Sequence, residues 1–433
     1  MQLGADEVTG TSRSHTSFKW IEPWFLSYAL LGASAAGIAP ILIPLSIAAN
    51  GSAVDAGIVV GVFNLGGLTA PLWGGIADHR GLHRLFFLAG LLVAAAGFVA
   101  FAFASTLIAK VALAFVQGAG AASVATVANL FIIEMHPKSE WDERIGWLQS
   151  FYGGGQVVGL LLAGILSNLN MRVGFLVAAG LSLAAILPGR FMKRKNRAAS
   201  VARPLLKHPA RHAGPNAGSP QLFYHHITVQ SIRNLFQPFR PGFGGFILAW
   251  FLSFSGAAAF FSLYPVVMKQ LYGVHPSISS VGFAAAATIG LFLYAPAGTW
   301  SKNHGTMSVL QVALWARILA FLFLVVLGFV VLPMSRLLAL ACFTVVVGAW
   351  SLLSVTGTEL TARFSEKDEG EGLGLFNAAT AVAGVLGAIV GGWCADAWGY
   401  GTVPLLGIVG TSMGLAVTVI VKRFEKNREG KIQ

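Results

Sequence analysis

Residues 85–109 read LFFLAGLLVAAAGFVAFAFASTLIA and carry no charge over 25 positions. A bilayer's hydrocarbon core is about 30 Å thick and takes about 20 apolar residues of helix to cross. The stretch is therefore long enough to span a membrane, and the rest of the chain repeats it. Uncharged runs of similar length cover 56–77, 111–133, 145–171, 173–189, 241–268, 337–358, 373–395 and 397–421, with 24–49 at the front. Runs 277–300 and 309–332 complete the set, the last carrying Arg317. The pattern predicts an all-α membrane protein with twelve transmembrane helices.

Composition points the same way. Of 433 residues, 55% are hydrophobic and 11% charged, and the mean hydropathy is +0.71. An average soluble protein carries about 25% charged residues. Twelve spans leave no room for a large soluble domain. Cys342 and Cys394 both fall inside apolar runs, so no disulfide framework is implied. Residues 1–20 are polar and lack the basic-then-apolar order of a cleaved signal peptide, so membrane insertion is expected to begin with the first run.

The formal charge of +12 would suit nucleic acid, but the placement of the cations speaks for lipid. With the N-terminus in the cytoplasm, twelve crossings return the C-terminus to the same side. The cytoplasmic pieces then hold 24 of the 29 Lys and Arg residues. Only Lys110, Arg172, Lys269 and Arg336 fall outside, with Arg317 within a run. The positive-inside rule thus places both termini and the connector 192–240 in the cytoplasm. The connector is rich in Lys, Arg, His, Pro and Asn, and reads as a flexible linker facing anionic lipid.

The connector divides the chain into residues 1–191 and 241–433, each with six runs. The two parts resemble each other. Ala70-Pro71 followed by Gly74-Gly-Ile-Ala-Asp78-His-Arg80-Gly81 closes the second run; Ala295-Pro296 followed by Gly298-Thr-Trp-Ser-Lys302-Asn-His-Gly305 closes the eighth, at an offset of 224. Glu134 and Glu359 end the fourth and tenth at an offset of 225. In the fifth and eleventh, Gly146, Gln149, Gly159, Gly164 and Asn168 match Gly374, Asn377, Gly387, Gly392 and Asp396 at an offset of 228. Together these matches indicate a duplicated six-helix unit.

Six plus six runs, a basic connector and the Gly-x-x-x-Asp-x-x-Gly turn at Gly74–Gly81 resemble the major facilitator superfamily, over nearly the whole chain. The family usually places arginines directly after the Asp and the second Gly. Here His79 and Leu82-His83 stand there, with Arg80 and Arg84 displaced. Proton-coupled drug exporters of the family carry Arg-x-x-Gln-Gly-x-Gly-Ala-Ala in their fourth helix. This chain reads Ala114-Phe-Val-Gln117-Gly118-Ala-Gly120-Ala121-Ala122, without the arginine, and has Gly153-Gly-Gly-Gln156 near the place of their Gly-Pro element. The resemblance implies alternating-access transport of a small solute, with efflux among the directions, in a bacterial inner membrane. It also implies a cytoplasmic latch in which Asp78 meets the start of run 373–395, held by Arg80, Arg84 and Glu134 beside Gly81.

Polar side chains at membrane depth mark the candidate pathway, because burying them unpartnered costs several kcal/mol. Gln149, Tyr152 and Gln156 share one helix face, and Asn377 with Thr380 repeats the first two places. Gln117 is expected to contribute. Ser351, Ser354 and Thr358 form another stripe, for which bonding back to helix carbonyls is the simpler account. Glu134 and Glu359 lie near cytoplasmic ends and are expected to pair with Arg80, Arg84 and Lys302. Arg317 is the one charge deep in a run. A charge at the bilayer centre costs about 2.5–3.5 kcal/mol on insertion scales, so it must find a structural partner, snorkel, or meet a substrate.

No Walker loop, metal-ligand cluster or nucleophile motif is present, so neither an enzyme nor an ATP-driven pump is expected, and no cofactor. The expected partners are a small-molecule substrate and membrane lipid, with no nucleic acid, and the chain is expected to act as a monomer. The rival reading is a sensor or assembly factor on a transporter-like scaffold.

Overall fold

The computed structural model describes residues 21–70, 72–73, 76–77, 82–137, 140–192, 241–330, 334–364 and 369–429. Among them every regular element is helical. Twelve helices follow in order: α1 (Phe25–Ala48), α2 (Ala53–Thr69), α3 (His83–Phe103), α4 (Leu107–Met135), α5 (Trp141–Leu166), α6 (Met171–Gly189), α7 (Pro241–Tyr272), α8 (Pro276–His304), α9 (Thr306–Phe329), α10 (Ser335–Phe364), α11 (Glu369–Trp398) and α12 (Thr402–Glu429). Eleven are long and apolar enough to cross a membrane, and α2 is shorter over its described part. The twelve-helix expectation holds. Asp78, Arg80, Gly81 and the connector beyond Met192 lie outside the described residues.

Local chemistry sets the helix starts. Ser52 and Asp55 form a reciprocal capping box at α2, each side chain 3.0 Å from the other's backbone nitrogen. Thr106 caps α4 and Asn170 caps α6. Gly305, at φ 86°, lets α8 stop and α9 begin at once. Within α1, residues Gly32–Ile38 open into a π-helical stretch. There α1 lies against α5 so closely that a methyl group on Gly155 would sit 1.8 Å from the Ala29 carbonyl oxygen, and one on Gly159 2.1 Å from that of Ala33. Gly387, the repeat mate of Gly159, approaches the Ser255 carbonyl of α7 in the same way. Close backbone approach is how small residues hold membrane helices together, where no hydrophobic effect acts between them.

The first six helices meet the last six along two main seams, α2 with α11 and α5 with α8, with a smaller contact of α7 against α1 and α2. Helices α3, α6, α9 and α12 lie outside these seams. Large apolar side chains such as Ile108 and Phe329 are 83% and 79% exposed, as suits a surface bathed in lipid tails.

Candidate functional site

A cavity of about 390 Å³ lies between the two sets of helices. Its walls come from α1, α2, α4 and α5 on one side and α7, α8, α10 and α11 on the other. Every described residue lining it is uncharged at neutral pH, with no Asp, Glu, Lys, Arg or His among them. Its size lies within the usual range for small-molecule sites, about 300–1,000 Å³.

One wall is aromatic. The rings of Trp250 and Phe376 have centroids 4.5 Å apart, Trp250 and Phe254 lie parallel at 6.4 Å, and Phe254 meets Trp350 at 5.2 Å. The Trp250 indole donates to the Thr380 hydroxyl at 2.7 Å, and that hydroxyl donates to the Phe376 carbonyl at 2.8 Å. This chain of bonds fixes the ring plane. Gly357 makes room behind it: a methyl group there would lie 2.7 Å from the indole. From the first helix set, α2 and α5 contribute Asn64 and Gln156 to the lining.

Of the residues marked in the sequence, Tyr152, Gln156 and Asn377 line the cavity, as do Ser351, Ser354, Thr358 and Thr380. Gln117 does not. It is buried against α3, donating to the Gly97 carbonyl at 3.1 Å, so it bonds a neighbouring helix rather than a pathway. Gln149 sits a turn before Tyr152 and donates to Asn129 of α4 at 3.3 Å, also away from the cavity lining. Ser354 and Thr358 bond back within α10, whereas Ser351 crosses to the Gly290 carbonyl of α8 at 2.9 Å. The aromatic wall carries no such mark in the sequence. Tryptophan and phenylalanine in an apolar run look like lipid-facing residues until their neighbours are known.

At the ends of α4 and α10 both carboxylates have partners among the described residues. Glu134 lies 3.2 Å from His83 Nε2, at the start of α3. Glu359 accepts from Thr306 at 2.8 Å and Arg363 at 2.6 Å, and from the Ser301 hydroxyl. Lys302 is exposed: it follows Ser301 by one residue, about 100° around the helix, and so cannot share its direction. Arg84 is likewise exposed. A cluster absent from the sequence reading joins α1 to α5. There Glu22 lies 2.6 Å from Arg144 and 2.9 Å from His136, and Arg144 reaches Glu140 at 2.9 Å.

The opposite end of the bundle is shut. The Asp396 carboxylate, at the end of α11, accepts from the Ala53 and Val54 backbone nitrogens at 2.8 and 2.9 Å, capping α2 from across the seam. A methyl group on Gly57 would fall 2.2 Å from the Ala388 carbonyl oxygen, and one on Gly392 2.4 Å from that of Ala53. In the second seam Gly164 faces the Ser277 carbonyl at 3.1 Å by the same measure.

Arg317 is 1% exposed in α9. Its guanidinium carbon lies 5.9 Å from the Trp350 ring centroid, behind the aromatic wall. Nε and Nη2 have no hydrogen-bond partner, and no carboxylate among the described residues pairs with it.

Comparison with known proteins gives a consistent picture. The family model described as Major Facilitator Superfamily matches residues 24–363. The crystal structure of the nucleoside transporter NupG is similar, with a TM-score of 0.71 at 11% identity, over 93% of this chain and 97% of that one. So is that of a bacterial homolog of the human lysosomal transporter Spinster, inward-facing and unoccupied, with a TM-score of 0.64 at 15% identity, over 92% and 93%. At such identities the likeness is one of fold.

Proposed function

This chain belongs to the major facilitator superfamily, and from that premise we propose that it is a secondary transporter carrying a small solute across the membrane by alternating access. The observation that carries the reading is a cavity between two six-helix sets that is shut at one end by backbone contact. We take residues 1–191 and 241–433 as the two moving units and 192–240 as their tether. The repeat-related seams support this. The positive-inside distribution supports cytoplasmic termini and connector in a bacterial inner membrane. In that orientation the Asp396 end, where the helices meet backbone to backbone, faces outward. The cavity is complete within one chain, which supports a monomer as the working unit.

Asp78, Arg80, Gly81 and Arg84 belong, on this reading, to a latch that forms when the cytoplasmic side shuts. The exporter-like segment 114–122 supports export no more than uptake. Its glycines serve packing: a methyl group on Gly118 would lie 2.0 Å from the Phe63 carbonyl, and one on Gly120 2.9 Å from that of Gly90.

Purified protein in liposomes should pass its solute down a gradient, saturably and without ATP. The rival reading, a sensor or assembly factor, predicts binding with no flux. Cysteines placed singly at Tyr152, Gln156 and Asn377 should react with a small water-soluble thiol reagent, while one at Gln117 should stay inert. Labelling at Gln117 alone would reverse the assignment of the pathway.

A further inference from the structure

We propose that the cavity selects an uncharged solute bearing a flat ring, and that Arg317 is the residue that turns cations away. The proposal rests on the transport reading above and names its substrate class. Three observations meet in it. The lining offers no ionised partner among the described residues. Desolvating an ion there goes uncompensated, which is costly for either sign. The aromatic wall offers planar faces: Trp250, held in plane by Thr380, with Phe376 at 4.5 Å. Ring stacking on such a face gains from an offset or edge contact with a planar ligand. The first helix set adds the amides of Asn64 and Gln156 to the lining, each able to donate and accept. A ring with hydrogen-bonding edges matches both features.

An aromatic wall without carboxylates would ordinarily also welcome a cation through the π faces. Arg317 alters that. Its guanidinium lies 5.9 Å from the Trp350 ring, so the attraction of that ring for positive charge is already engaged from within the protein. The charge is buried, and Nε and Nη2 lack hydrogen-bond partners, so its field is not cancelled nearby. A cation entering the cavity meets a like charge through low-dielectric material, where repulsion is strong. An anion is drawn toward Arg317 but finds the Trp350 ring between. The order of preference is neutral, then anionic, then cationic.

The experiment uses full-length purified protein and probes matched in shape but not in charge: benzamide, benzoate and benzamidine, then indole-3-acetamide, indole-3-acetate and tryptamine. Binding is read from the shift in thermal unfolding, followed with a thiol-reactive dye at Cys342 and Cys394. Each amide should stabilise most and each cation least, with at least about tenfold between their apparent affinities. Trp250→Leu should weaken the amides about tenfold, in keeping with aromatic stacking energies. Arg317→Leu should close most of the gap between amide and cation, and Arg317→Lys should restore it. Cations binding as well as amides, an unchanged gap in Arg317→Leu, or no shift from any probe would overturn the proposal. Radiolabelled benzamide flux separates the two readings. Amide binding without flux defeats the transport reading and leaves the selectivity standing. Flux of benzamidine matching that of benzamide defeats the selectivity alone.

Discussion

The two seams between the helix sets are built on one plan and finished differently. Gly392 of α11 meets the Ala53 carbonyl of α2, and Gly164 of α5 meets the Ser277 carbonyl of α8; both members of the pairing are related by the internal repeat. Yet the first seam is tighter, 2.4 against 3.1 Å for an added methyl, and among the described residues only it carries an ionic cap. Asp396 holds two α2 backbone N–H groups, while its repeat mate Asn168 is uncharged. The interior diverges too. The amides Asn64 and Gln156 come from the first set, the aromatic wall and Arg317 from the second, and Val93 stands at the repeat position of Arg317. The backbone contacts of the two seams are alike, while the side chains around the cavity differ.

The largest expected effect tests the tighter seam. Gly57→Ala puts a methyl 2.2 Å from the Ala388 carbonyl. Overpacking costs about 1–3 kcal/mol, so the closed outer end should lose about 5–150-fold in population. Gly164→Ala, at 3.1 Å, should cost far less. Spin-label distances across each seam would show it, and equal widening in both variants would break the distinction between the seams. Next comes the cap. Asp396→Asn removes a charge at a helix N-terminus, worth about 0.3–1 kcal/mol and up to about 2 when partly buried. The outer end should open more often, and faster labelling of a cysteine at Pro40 would report it. The smallest effect concerns the opposite end. Asp78→Asn should weaken the proposed cytoplasmic latch about threefold, favouring the inward-open state in the same distance measurement. An unchanged distribution with normal transport would leave Asp78 an ordinary turn residue.

The fold was legible in the sequence because lipid imposes it: a span must be about 20 residues long and apolar. Gly387 was legible as the repeat mate of Gly159, not as a contact with α7. The cavity lining was legible where polarity contradicts the membrane, at Tyr152, Gln156, Asn377, Thr380 and the Ser351–Thr358 stripe. The same rule misplaced Gln117 and Gln149, because a buried amide satisfies itself equally well on a neighbouring helix, as at Gly97 and Asn129. It passed over Trp250, Trp350 and Phe376, since an aromatic ring costs nothing in lipid and so leaves no mark. Asp396 was visible as the mate of Asn168, but its partners are backbone N–H groups 343 and 342 residues away, which no local pattern reveals.

The close helix contacts are written largely in main-chain atoms, and that sets how such a protein can drift. Gly57, Gly155, Gly159 and Gly392 each press against a carbonyl oxygen, an atom every residue carries. The glycine is constrained, while its partner is constrained only in where its backbone runs. Half of each contact is therefore free to mutate without loss of fit. Two chains can part until 11% of their residues agree and still superpose with a TM-score of 0.71.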